Sequence, residues 1–589
     1  MRRIGRLFIW LFAGTGFLVV LAVVAVIVFI ATRAGPAPMP DRVVLSLDLS
    51  GPIAERSTRG FMARLKPRPP ALRDITEALQ RARDDKRVKA VVARVGGGSM
   101  SLATAQAVHG AVRDFREASD KPAIAYAGSL GGAAGNGTVA AYLASGFDTV
   151  WLRPTGTVNL MGFALSMPFA REALGDMGVQ PQFGRRKAYK SAPETFTRKT
   201  ISGPGREASE AVVRGWLDQA VAGIAKGRGL DKARVRRLVD NAPVLPAKAK
   251  KAGLVDRLEY RPALKKKLDE RFDDPGRVGP RGYLAHTEGP DDDAPHIAVI
   301  YGVGPVHGGK SKPSPLSGSE SIGAQTVVHL LKKAAKADDV KAVILRLDSP
   351  GGAFGASDTI RQAVHRTRDA GTPVVASLGS VAASGGYYAA MGADRIVAQP
   401  GTLTGSIGVF GGKFDLSGMW DRLGVEWAQI AAGEHAGMWS LNRPFSPGEW
   451  ERFNAYLDFA YDTFVTKAAE DRGMDKAALE EVARGRVWTG RKARAKGLVD
   501  ALGGMKRAVK AARDLADIDK DRKVRLVPLP RPADFMETVR QLLKNGGLPV
   551  SVRAALMQRL PEPARVLLKT TEAQRKGHIL RLPPMAKGT

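Results

Sequence analysis

Two glycine-rich segments stand out for their chemistry: Asp348-Ser349-Pro350-Gly351-Gly352 and Ala382-Ala383-Ser384-Gly385-Gly386-Tyr387-Tyr388. Each follows a short apolar run of strand character. Paired glycines adopt backbone conformations closed to other residues and let N–H groups approach a ligand closely. Such a turn can hold an oxyanion. Ser384 falls where a strand gives way to a helical pattern, which exposes its hydroxyl beside the amide of Gly385 near a helix N-terminus. Taken alone it reads equally well as an N-cap, because Ser is among the commonest caps. Two Gly-rich strand ends in one unit are the stronger signal, since together they offer the nucleophile and the two oxyanion donors that acyl transfer requires.

A serine hydroxyl is a weak nucleophile and needs a base. None of the eight histidines lies in a motif suggesting a triad: His329 and His365 fall in helical patterns, and His286, His296 and His307 in loops or strand edges. His435 stays open as a base. Lys190, in Ala188-Tyr189-Lys190-Ser191-Ala192, is the alternative. A lysine serves as base only if desolvation or a nearby charge lowers its pKa towards the working pH. One basic residue among many is ordinarily a solvated surface lysine.

The elements that must position these residues occur twice. Val88-Lys89-Ala90-Val91-Val92 matches Val340-Lys341-Ala342-Val343-Ile344, Gly229-Leu230-Asp231-Lys232 matches Gly473-Met474-Asp475-Lys476, and Gly253-Leu254-Val255-Asp256 matches Gly497-Leu498-Val499-Asp500. The offset falls from 251 residues at Pro122/Pro373 to 246 at Asp148/Asp394, so the first copy carries extra residues where the second has its Ser384 motif. Counted from Asp148 and Asp394, the position equivalent to Lys190 is Ala436, so each copy holds one half of a Ser/Lys pair. Within each copy, helical patterns alternate with short Val/Ile/Ala strands, the order of parallel strands with helical crossovers. In the second copy, helices are expected at Thr326 to Lys336 and Ser357 to Arg368, and strands at Ala342 to Leu347 and Pro373 to Leu378.

The motifs resemble signal peptide peptidase A in its long, tandem-domain form, a family of membrane-anchored serine proteases whose fold is similar to the Clp protease and crotonase folds. The resemblance covers roughly residues 40–510 and rests on the two segments above, on Thr404-Gly405-Ser406-Ile407-Gly408-Val409 and on Tyr189-Lys190-Ser191-Ala192. It implies Ser384 as nucleophile, Lys190 as general base, Ser406 as a hydroxyl orienting the lysine amine, and the amides of Gly352 and Gly385 as the oxyanion hole. It also implies signal peptides and other membrane-associated peptides as substrates, a homo-oligomer of tetramer-like ring form, and neither cofactor nor metal. Competing readings are a non-catalytic membrane scaffold of the same fold and a crotonase-like acyl-CoA enzyme.

Leu7 to Ala31 is an uncharged apolar stretch, long enough to cross a hydrocarbon core of about 30 Å. Arg2, Arg3 and Arg6 precede it and only Arg33 closely follows, so the positive-inside rule puts the N-terminus in the cytoplasm and the remainder outside. The expected location is the bacterial inner membrane, single-pass, with the repeats facing the periplasm and touching lipid. No cysteine occurs among the 589 residues, which excludes thiol nucleophiles, disulfides and thiolate metal sites. The net charge of +32 is spread without interleaved aromatics or a nucleic-acid-binding motif, and a basic exterior beside an anionic membrane accounts for it. The expected organisation is an α/β chain divided into an N-terminus and anchor (1–38), a first repeat carrying the lysine (39–287), a second carrying the serine (288–516), and a basic C-terminal extension (517–589).

Overall fold

Near-continuous Val, Ile, Leu and Ala runs, without strict alternation, mark strands covered on both faces, and the computed structural model places these runs in two parallel sheets. It describes residues 39–56, 69–97, 100–132, 135–287, 289, 291, 293–311 and 320–530. All of these belong to one of the two compact units into which the chain divides. The expected anchor at residues 7–31 lies outside the described residues, as do 312–319 and 531–589. Among the described residues no helix is long and apolar enough to cross a membrane.

The first copy contributes β1 (Val43–Leu49), β2 (Val88–Val95), β3 (Ala123–Ala127), β4 (Thr149–Leu152), β5 (Gln180–Arg185), β6 (Arg257–Leu258) and β7 (Gly276–Val278). All but β5 form a parallel sheet in the order β6-β4-β3-β2-β1-β7. The second copy contributes β8 (His296–Val303), β9 (Val306–His307), β10 (Ile322–Gly323), β11 (Val340–Ser349), β12 (Val374–Ala383), β13 (Arg395–Ala398), β14 (Leu403–Gly405), β15 (Phe410–Asp415), β16 (Val487–Thr489), β17 (Ala501–Leu502) and β18 (Arg525–Leu529). Its parallel path β17-β13-β12-β11-β8-β18 repeats the first sheet strand for strand. The lower half of β12 pairs with β13 and its upper half with β14, so the sheet divides just before Ser384.

The expected strand at 342–347 runs from 340 to 349, and the one at 373–378 runs from 374 to 383, up to the residue before Ser384. The helices expected at 326–336 and 357–368 form at Ala324–Ala335 and Phe354–Asp369. The boundary expected after residue 516 falls too early: β18 adds to β8 as the counterpart of β7, so the second sheet closes only at Leu529. Pro528 suits this edge position, where no ladder N–H is required on the open side.

Each sheet buries one face against its crossover helices, around Leu45, Val91 and Phe115 in the first copy and Ile300, Leu345 and Tyr388 in the second. A long helix closes each copy, Gly203–Arg228 and Pro447–Arg472, capped at the start by Ser202 and Ser446 and ended by left-handed Gly229 and Gly473. The copies are joined by antiparallel pairing of β5 with β15, by Gln106, whose side-chain oxygen accepts from Gly401 N–H, and by Trp216 donating to the Gly401 carbonyl.

Glu55 of the first copy also reaches the second sheet, where its carboxylate meets Arg346 at 2.9 and 3.0 Å. Both side chains are under 10% exposed. Removing one partner of a buried pair strands the other charge, so Glu55→Ala should destabilise the fold by about 3–5 kcal/mol. The check is the urea unfolding midpoint, and a midpoint matching the parent's would show the pair to be dispensable.

Candidate active site

Ser384 begins the short helix Gly385–Met391, yet its side chain makes no capping bond. Its φ of 54° and ψ of −123° turn the hydroxyl away from the helix, a conformation that bulkier residues rarely adopt. The Lys190 amine instead donates to the Ser384 hydroxyl at 3.0 Å. The same amine donates at 3.0 Å to both the hydroxyl and the backbone carbonyl of Ser406. Ser406 also has a positive φ, 50°, in the turn leaving β14. Sequence reasoning left the serine as N-cap or reactive hydroxyl, and left the lysine as solvated or buried. In the structure Lys190 is 3% exposed, and its neighbours are hydroxyls and a carbonyl. His435, the other base considered, hydrogen-bonds to neither serine.

Three features keep the lysine in place. The loop after β5 lies on the second copy, with the Tyr189 N–H donating to the Arg484 carbonyl at 3.1 Å. Arg185 donates to the Lys190 carbonyl at 3.2 Å and pairs with the buried Glu194 at 2.5 Å. Gly485, at φ 81°, passes so close that a Cβ there would stand 2.5 Å from the Lys190 backbone nitrogen. None of Arg185, Glu194 and Gly485 is singled out by the sequence, where they read as one more basic, acidic or turn residue. Arg486 extends the seam, with its guanidinium over both Tyr189 and Trp488 and bonded to Glu207.

Burial lowers the Lys190 pKa from the usual lysine value to about 7, and desolvation is its only cause. No carboxylate restores the charge, so the amine is largely neutral at mildly alkaline pH and able to accept a hydroxyl proton.

The two oxyanion candidates lie beside the serine. Gly351 has a φ of 113°, and a Cβ on Gly352 would strike the Val306 carbonyl at 2.0 Å, so this turn needs its glycine pair. A Cβ on Gly385 would stand 2.9 Å from the Gly352 nitrogen, which puts the two amides side by side. Neither N–H has an acceptor among the described residues. Two adjacent free amides next to a serine hydroxyl can stabilise the oxyanion of a tetrahedral intermediate. Among the described residues no cluster of His, Asp and Glu could hold a metal ion.

A serine hydroxyl, a buried amine of lowered pKa and two free amides on an α/β scaffold form the constellation of a serine hydrolase. The model of Peptidase family S49 matches residues 116–273 and again 366–519, and the chain belongs to that family. It is 31% identical over 509 residues to the chloroplastic serine protease SPPA of Arabidopsis thaliana, covering 84% of this chain and 72% of that one. It is 30% identical to Protease 4 of Salmonella typhi, covering 76% and 72%, and 30% identical to Protease 4 of Haemophilus influenzae, covering 86% and 84%.

A base at Lys190 would set a pH dependence. Above pH 7 the amine is neutral and can take the serine proton, and below pH 7 it is charged. kcat/KM should therefore fall about tenfold per pH unit well below pH 7 and level off by about pH 8. A pH–rate profile on a peptide without titrating groups tests this, and a limb centred near the normal lysine value would rule out the buried amine as base.

Proposed function

We propose that the chain is a Ser-Lys endopeptidase that degrades cleaved signal peptides at the membrane. The observation that carries the reading is the buried Lys190 amine within 3.0 Å of both Ser384 and Ser406, with no charged partner. In this reading Ser384 attacks the peptide carbonyl as Lys190 takes its proton. Gly352 and Gly385 N–H groups hold the oxyanion, and Ser406 orients the amine. Lys190 then protonates the leaving amine, and water, deprotonated by the same lysine, releases the acyl group from Ser384. Membership of a peptidase family favours this over acyl-CoA chemistry or a non-catalytic scaffold. The membrane part rests on the 7–31 stretch and its flanking arginines, with the catalytic repeats on the periplasmic side. An extended peptide adding as a strand is the binding mode in keeping with such substrates.

The same reading includes a ring. β5 of the first copy pairs with β15 of the second. By the 246-residue offset, the counterpart of β15 is 164–169 and that of β5 is 426–431. Both counterparts are left uncovered, with Leu165 54%, Trp427 56% and Ile430 101% exposed. Pairing 164–169 of one chain with 426–431 of the next repeats the internal seam between chains, a head-to-tail contact that closes into a tetramer-like ring.

Ser384→Ala and Lys190→Ala should each lower peptide hydrolysis by at least about 10³-fold while leaving the thermal melt intact, whereas His435→Ala should keep full turnover. Retained activity in either dyad variant would discard the assignment. In sedimentation, Ile430→Asp and Leu165→Asp should each shift the protein from oligomer to single chain, and a parent that sediments as a single chain would remove the ring.

A further inference from the structure

The first copy, which lacks the serine, contains a cavity of about 470 Å³ at the carboxyl ends of its strands. Its walls follow β1 at Ser50, β2 at Gly96, β3 at Ser129 and β4 at Arg153, and Arg261 enters from the start of the helix Arg261–Phe272 after β6. In parallel α/β sheets this edge is where ligands bind.

The second copy shows what the equivalent place contains when filled. Arg94 and Arg346 are equivalent by register: Arg94 is flanked by Asp48 and Tyr126, and Arg346 by Tyr301 and Ser377. Arg346 is buried under the Glu55 carboxylate and also donates to Ser377 and to the Leu378 carbonyl. Two residues on, Asp348 adds a second buried carboxyl group. The first copy has Gly96 at the Asp348 position. No described segment delivers a carboxylate as Glu55 does. Arg94 keeps only Asp48 on its own surface, at 2.6 Å.

The result is a basic cavity in which, among the described residues, only Arg94 has an acidic partner. Among the described residues, the guanidinium groups of Arg153 and Arg261 make no ion pair or hydrogen bond. Tyr126 also lines the cavity, and its hydroxyl makes no hydrogen bond to a described residue. Two forked cations and one hydroxyl match a carboxylate, which accepts paired N–H bonds and one O–H bond.

We propose that this cavity binds the C-terminal carboxylate of a peptide. The proposal rests on the peptidase reading, because a chain released by proteolysis always ends in such a group. The inactive copy then retains substrate or product ends while the serine-bearing copy cuts. A cavity of this size accommodates a terminal residue or two.

The test uses the full-length Ser384→Ala protein and a fluorescein-labelled decapeptide made with a free C-terminus and as its amide, with affinity read by anisotropy. The free acid should bind about tenfold tighter than the amide. The Arg153→Gln/Arg261→Gln double variant should abolish that preference. The same double change in otherwise unaltered enzyme should leave hydrolysis of an amidated peptide unchanged and raise only the KM of the free-acid peptide.

Equal affinity for acid and amide, or a preference that survives the double variant, would overturn the proposal. An amidated peptide with an internal Glu binding as tightly as the free acid would reassign the site to acidic side chains. Displacement by inorganic phosphate at lower concentrations than acetate would reassign it to phosphate-bearing ligands. Binding is read in a protein without Ser384, so loss of this proposal and loss of the dyad would be seen separately.

Discussion

The architecture depends on keeping one amine dry. In the proposed role, Lys190 can act as a base only while water and carboxylates are excluded, because either would restore its charge. Neither copy can do this alone. The first supplies the lysine and its Arg185–Glu194 clamp, and the second supplies Ser384, Ser406 and Gly485 packed against the lysine backbone. The β5–β15 pairing, the Gln106–Gly401 bond and the Arg486 stack therefore serve chemistry as well as cohesion, since any gap along that seam would admit water to the amine.

Duplication explains how such a site arises. The first copy has a counterpart for each strand of the path β17-β13-β12-β11-β8-β18 and for the turn where the serine stands. Gly137 N–H donates to the Asn159 carbonyl as Ser384 N–H does to that of Gly405, so Gly137 replaces the reactive serine and Leu160 follows where Ser406 stands. The second copy in turn has Ala436 at the lysine position. The first copy has neither hydroxyl and the second lacks the amine, so the proposed pair can form only across the junction.

The strand-and-helix alternation, the repeat and the glycine motifs are legible in the sequence because they are local: apolar runs, Gly pairs and ordered matches. The end of the second sheet is not, because Arg525–Leu529 is a short segment unlike Gly276–Val278 in sequence, and its pairing with β8 and the burial of Val527 and Leu529 emerge only in the fold. Lys190 is the harder case. Its spacing gives no sign of burial, and the groups that desolvate it stand far along the chain at Gly408 and Gly485, where they read as ordinary turn glycines. The family resemblance points to the lysine, whereas its lowered pKa follows only from the folded junction.

Backbone strain separates the working turn from its counterpart. Ser384 and Ser406 both sit at positive φ, a conformation costing about 1–3 kcal/mol for residues with side chains. The fold does not demand it: Gly137, which could adopt positive φ freely, has a φ of −100°, and Leu160 is also free of it. The two copies share strand order and the hydrogen bond at this turn, so neither explains the difference. What differs is the amine, together with the extra residues that the first copy carries ahead of Gly137. Where a lysine must be met by two hydroxyls, the backbone is bent to aim them. In the copy without that demand, the same turn relaxes.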